Sequence, residues 1–337
     1  MPPPSAQALP ALLSKVRTIL PASIPKSAAY ILPASTLIAL GHPNLLGPLF
    51  LHVTGHNDTS PATPATPSQS QSQQQPSSTP APSSTPRPHP LSPAETRTIS
   101  LHLRDMLLKE WTLTGIPLVI TAVSSLGLAE QAAGLFPRDA PSTFDNRAWN
   151  APTPSPTREE AASSPSHHHP LGTQSALSPR YSCPTSPSLP LSLAPSSPLS
   201  ARGAAHLHRL YLHHLPAIAA TWSSHEADFR WLEESVIYGL FLSDHAVLSA
   251  LETSLVTASA IVAQGLKAPA LWHLRGLRRL GVPREDVERV VRVVGVCAAW
   301  AGGRGEWRGP RGGEEGKEGE GQVEEWVGWV GEVEGEV

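Results

Sequence analysis

A chain of 337 residues with 37 prolines and 25 glycines, 40% hydrophobic but only 5% aromatic and 16% charged, has the composition of one modest core interrupted by segments too polar to repay their ordering entropy. Its formal net charge of -3 excludes a strongly electrostatic nucleic-acid binder. Its two cysteines, Cys183 and Cys297, exclude a disulfide framework and a four-cysteine zinc site, and they fit a reducing, intracellular compartment, cytoplasmic or mitochondrial.

Residues 1–25 read as a targeting or disordered N-terminus. The chain carries no Asp or Glu before Asp58 but has Lys15, Arg17 and Lys26, the bias of a mitochondrial transit peptide, while Pro10, Pro21 and Pro25 interrupt the helix such a peptide forms. Within residues 26–58, the stretch from Ser27 to Asn57 is uncharged apart from histidine, yet Pro33, Gly41, Pro43, Gly47 and Pro48 divide it. That pattern predicts two short buried helices rather than a membrane span. Residues 59–93 are proline-, serine- and glutamine-rich, a low-complexity disordered linker.

Residues 94–137 read as two helices, 101–114 and 118–129, divided at Gly115-Ile-Pro117. In the second, Leu118, Val119, Ala122, Leu126 and Ala129 form an apolar face. A second disordered insertion, 138–201, holds runs such as Pro152-Thr-Pro-Ser-Pro156. Residues 202–300 then read as a single helical core. Helices are expected over 204–221 and 229–242, and Leu251, Leu255, Ala258 and Val262 mark another as one apolar stripe. Gly265 ends that helix, Pro269 lies in the first turn of the next, and Gly281 is its natural C′ residue. Pro283, Glu285 and Asp286 open a last helix with Val287, Val290, Val291 and Val294 on one face. Residues 301–337, with ten glutamates against four basic residues, read as a disordered acidic tail in which Trp326 and Trp329 are able to form a short sticky helix. The fold class is all-α, with two long insertions and an acidic tail.

The C-terminal hairpin, from Glu252-Thr-Ser-Leu-Val through Gly265 and Leu-Lys-Ala-Pro-Ala-Leu-Trp-His273 to Gly281-Val-Pro-Arg-Glu-Asp-Val, resembles the carboxymuconolactone decarboxylase and AhpD-like alkylhydroperoxidase family. Gly115-Ile-Pro-Leu-Val-Ile-Thr-Ala-Val is similar to that family's glycine-proline helix start, and Tyr238-Gly239 with Leu242-Ser-Asp244 to the element before its signature helix. The whole arrangement is similar to fungal members that carry two degenerate segments. The resemblance implies an AhpD-like helical fold and a homo-oligomer, trimer or hexamer, with neither metal nor cofactor. It also implies loss of the family's redox chemistry. Aligning its last histidine on His273 puts its two cysteines on Leu266 and Pro269 and the histidine between them on Ala268, so no thiolate attacks a peroxide there.

Two readings of function follow: a degenerate binding or scaffold protein, or an acid–base enzyme of decarboxylase or isomerase type on a small anionic or carbonyl substrate. Glu252 and His273 are the candidate acid and base, with Glu234 and Tyr238 as further candidates. Glu252 lies about 13 residues before the turn and His273 about four after it, an axial offset of roughly 13 Å at 1.5 Å per residue, so the pair needs help from another helix or subunit. Glu252 as a cap or salt-bridge partner, and His273 as an ordinary helix residue, is the plainer account. Arg275, Arg278 and Arg279 suit a carboxylate but equally complement the dipole at their helix end. His206, His208, His213 and His214 are nowhere three or four apart and share no chelating face. Phe229, Trp231, Glu233, Glu234 and Tyr238, with Asp228, line either a pocket or, more simply, an interface.

Overall fold

A computed structural model of the chain describes residues 4–56, 90–135, 198–302 and 320–334, and every regular element among them is helical. The sequence expectations for 57–89, 136–197 and 303–319 lie outside the described residues. In chain order come α1 (Leu9–Ile19), α2 (Ala28–Ala39), α3 (Leu46–Thr54), α4 (Pro93–Thr114) and α5 (Ile116–Ala132). These are followed by α6 (Pro198–Tyr211), α7 (Leu215–Ala220) and α8 (Glu226–Trp231), which runs on as a π-helix (Leu232–Leu242). The last four are α9 (Ala250–Ala263), α10 (Lys267–Arg279), α11 (Arg284–Trp300) and α12 (Glu320–Glu332). No described helix is long and apolar enough to cross a membrane, and the uncharged stretch after Ser27 forms the two short helices α2 and α3.

The chain divides into two compact units, Met1–Pro141 with Leu251–Val337, and Ser142–Ala250. The division falls inside 202–300, which the sequence pattern presents as one continuous helical core. In the first unit α2 packs on α4 and α11, α5 on α3 and α4, and α1 on α11. Local chemistry sets many of the helix ends. Ser92 accepts a hydrogen bond from Glu95 N–H while the Glu95 carboxylate reaches back to Ser92 N–H, a capping box, with Pro93 in the first turn. At the end of α10, Gly281 takes φ +90° and its N–H bonds Arg278 C=O as Val282 N–H bonds Leu277 C=O, the left-handed C-cap that glycine makes without strain.

Three expectations need correction, each because packing outweighs local signals. Residues 1–25 are no disordered start from Leu9 on: Leu9, Leu12, Leu13 and Val16 of α1 are core residues, and Pro10 falls in the first turn, where a missing N–H costs nothing. The stripe expected on α9 is instead a helix buried all round, every residue from Glu252 to Ala263 being inside. The acidic tail is not wholly solvated, since α12 packs on α10 and α11 with Trp326, Trp329, Val330 and Val333 buried. Its acids meet basic side chains there: Arg278 Nε donates to Glu334 at 2.8 Å, Arg292 to Glu324 at 2.6 Å, and Lys267 lies 2.9 Å from Glu332.

The seat of α12 depends on Gly295. A Cβ at that position would come within 2.6 Å of a Val323 methyl, so any side chain pushes α12 off α11. Gly295→Leu is expected to cost about 1–3 kcal/mol and to speed cleavage by a glutamate-specific protease between residues 320 and 334, with far-UV circular dichroism otherwise nearly unchanged. Cleavage as slow as in the wild type would show that α12 is held elsewhere.

In the second unit α6 lies against the π-helix so closely that a Cβ at Gly203 would sit 2.0 Å from Glu234 C=O. Arg202 donates to Gly239 C=O at 2.6 Å, Ser200 and Ser235 share a 2.6 Å hydrogen bond, and Leu207, Leu210, Tyr238 and Leu242 form the core. The helix expected over 204–221 is broken at Leu212, whose φ of +49° ends α6 before α7 begins.

Candidate functional site

Three helices of the first unit bring polar side chains into one buried seam. On α2 and the residue before it, Ser27, Tyr30 and Ser35 recur at helical spacing; on α4, His102, Asp105, Lys109 and Glu110 do the same; α9 contributes Glu252 and, one turn on, the Val256 carbonyl. Glu252 accepts a hydrogen bond from Ser27 Oγ. Beside it Tyr30 Oη lies 2.6 Å from His102 Nδ1, with the two rings stacked at 6.2 Å. Burial, and then the Glu252 carboxylate, push the Tyr30 hydroxyl well above its usual range, which keeps it protonated as a hydrogen-bonding group.

Deeper in the seam, Ser35 Oγ is shared between Glu110 Oε2 at 2.9 Å and Val256 C=O at 3.2 Å. The other Glu110 oxygen is buried without a hydrogen-bond partner. Desolvation raises this carboxyl to about 8 against the lowering effect of the Ser35 bond, so it carries a proton at neutral pH. Next to it Lys109, only 1% exposed, lies 2.6 Å from Asp105 one turn back. At the α4–α5 boundary Arg104 grips Glu130 through two hydrogen bonds of 2.9 and 2.6 Å, and Ser100 donates to the same carboxylate.

Glu252, picked out by the sequence, therefore belongs to a polar constellation, and its neighbours there are Ser27, Tyr30 and His102. His273 is buried in the second turn of α10. Of the arginines, Arg275 stands over the Trp272 ring at 4.5 Å, while Arg278 is held by Glu334 and by Val282 C=O at 2.6 Å. At the start of α10, Leu266, Ala268 and Pro269 occupy the positions that the resemblance assigns to redox residues. Cys297 is buried in α11, and desolvation pushes its thiol up to about 12. Cys183 lies outside the described residues.

Glu234 and Tyr238 belong to the second unit, on the π-helix. Glu234 is 4.0 Å from Arg230, and its pKa is raised by burial. Tyr238 is enclosed, its hydroxyl 3.1 Å from that of Tyr211 and its ring 5.7 Å from His206, which in turn meets His245 at 5.3 Å. Burial raises Glu233 to about 7. An eleven-residue π-helix is rare, and such turns gather at functional positions. No group of three or more His, Cys, Asp or Glu side chains able to hold a metal ion occurs among the described residues. Compared with protein-family models, curated proteins and solved structures, the chain finds no match in any of the three.

Proposed function

We propose that this chain is an AhpD-like helical protein that has lost the family's thiol chemistry and works as a binding or scaffold protein in a homo-oligomer. The observation that carries this reading is the start of α10, where Leu266 and Pro269 stand at the two redox positions while Cys297 lies in apolar surroundings with its thiol held protonated. The pure protein is expected to show no dithiol-dependent turnover of organic hydroperoxides. Turnover that disappears in a Cys183→Ser, Cys297→Ser double variant would overturn the reading.

A second reading, acid–base chemistry on a small anionic or carbonyl substrate, is favoured by one contact: the 2.6 Å bond between Tyr30 and His102 beside Glu252. In that reading Glu252 acts with His102 rather than with His273. Glu252→Gln and His102→Ala then each abolish activity while leaving the melting transition in place, and His273→Ala does not. Loss on His273→Ala alone would restore the hairpin pair as acid and base.

A further inference from the structure

We propose that the outward face of α5 is the surface on which a second copy of this chain docks, in an antiparallel, two-fold helix pairing. The proposal rests on the homo-oligomer reading above and locates its interface. The inner face of α5, with Val119, Ala122, Leu126 and Ala129, is already buried against α3 and α4. The opposite face is aliphatic as well: Ile116, Ile120, Val123 and Leu128 are 52%, 58%, 52% and 70% exposed. Residues 111–129 contain no charged side chain and no histidine. A helix apolar on both sides is the pattern of one that is covered on both. The four side chains present roughly 400 Å² of apolar surface, within the range at which a patch marks an association site. Two such patches bury about 800 Å² of apolar surface, so polar residues around them have to supply the rest of the roughly 1,200 Å² at the lower end of a standard interface.

The arrangement of residues along the face says which partner fits. Ile116, Ile120, Val123 and Gly127 follow one another at helical spacing, so along this stripe the large side chains lie toward the N-terminal end and Gly127 at the C-terminal end, with Leu128 one position further on at the flank of the stripe. Turned antiparallel about an axis between Val123 and Ser124, a second α5 sets each Ile120 over the partner's Gly127. The face is thus complementary to itself, as a two-fold contact requires. Among the described residues nothing requires Gly127: a Cβ there would meet nothing within 4 Å, and φ is not positive. A glycine inside a helix still costs about 0.5–1 kcal/mol relative to alanine, and the close approach of a partner helix accounts for it. A lipid surface is a poorer fit, because a helix lying in a membrane interface carries basic residues along its flanks and α5 has none. A two-fold contact builds dimers and, with a three-fold, hexamers, but not a lone trimer.

Sedimentation of the full-length protein tests this. The wild type is expected to form an even-numbered oligomer at micromolar concentration. Ile120→Asp puts a charge into the contact, and Gly127→Leu fills the seat of the partner's Ile120 with a side chain whose Cβ meets none of the described residues within 4 Å. Each weakens assembly by tenfold or more, about 1.4 kcal/mol, with unchanged circular dichroism, and Gly127→Leu is no less stable as a monomer. An oligomer that neither substitution weakens, or a cyclic trimer, overturns the assignment and leaves the homo-oligomer reading standing. A monomeric wild type removes both, and if that monomer binds phosphatidylcholine vesicles and loses the binding with Ile120→Asp, a membrane covers the face instead.

Discussion

Asp105→Leu is expected to cost about 3–5 kcal/mol of unfolding free energy, measured by urea denaturation at pH 7. Lys109 is one of the most deeply buried side chains in the molecule, and Asp105, one turn back on α4, lies 2.6 Å from its ammonium group. Replacing the carboxylate by leucine leaves a positive charge in low-dielectric surroundings, where it must either be hydrated by partial opening of the helix or give up its proton. Adding Lys109→Met removes the stranded charge and substitutes a flexible apolar side chain of similar reach, so the double variant recovers most of the loss. A single variant within about 1 kcal/mol of the wild type, or a double variant less stable than the single, would show that the pair is solvated and that the packing of α4 against its neighbours is looser than the structure has it.

Asp105 and Lys109 also illustrate the limit of what could be read from the chain. Asp105 stands only one or two residues from Leu103, Met106 and Leu107 and so lies off their apolar stripe; an opposite-charge pair at i and i+4 there has the pattern of an exposed ion pair, and its burial was not legible. Helix ends were legible where backbone chemistry alone decides them: Gly265, Pro269, Gly281 and Pro283 bound α9, α10 and α11 as their residue types dictate. Where tertiary packing overrides propensity, local signals misled. Ten of the twelve residues of α2 are buried, and that packing carries the helix through Pro33 despite the lost hydrogen bond. In the tail, Trp326 and Trp329 suggested a short sticky helix, but glutamate and glycine content hid how far it is seated, with Val330 and Val333 buried as well. The site follows the same division. Glu252 stood out through a motif, but Ser27, Tyr30 and His102 come from two other segments, and nothing local says that they converge.

Glu110→Gln is expected to stabilise the protein at alkaline pH and to flatten its stability profile. In the unfolded chain this carboxyl titrates at its ordinary 4.5, whereas burial raises it to about 8 in the fold. Between those values the folded protein holds a proton that the unfolded chain has released. Stability contributed by this group is therefore complete below the unfolded value, falls as pH rises at up to about 1.4 kcal/mol per unit, and levels off above the folded value. The hydrogen bonds show what changes. Protonated Glu110 donates to Ser35 Oγ, which is then free to donate to Val256 C=O; once Glu110 ionises, Ser35 has to donate to the carboxylate, and the second oxygen stays charged with no partner. Glutamine keeps the volume and an acceptor for Ser35 but never ionises. The substitution alters no other ionisable side chain, so the difference between the two profiles isolates Glu110. Chemical denaturation from pH 5 to 9 should find the profiles close at the acid end and diverging in favour of Glu110→Gln at the alkaline end, with the infrared absorption of protonated buried carboxyls at pH 6 weaker in the variant, where Glu233 still contributes, than in the wild type. Parallel profiles across that range would mean that Glu110 ionises as if in water and that the seam is open to solvent.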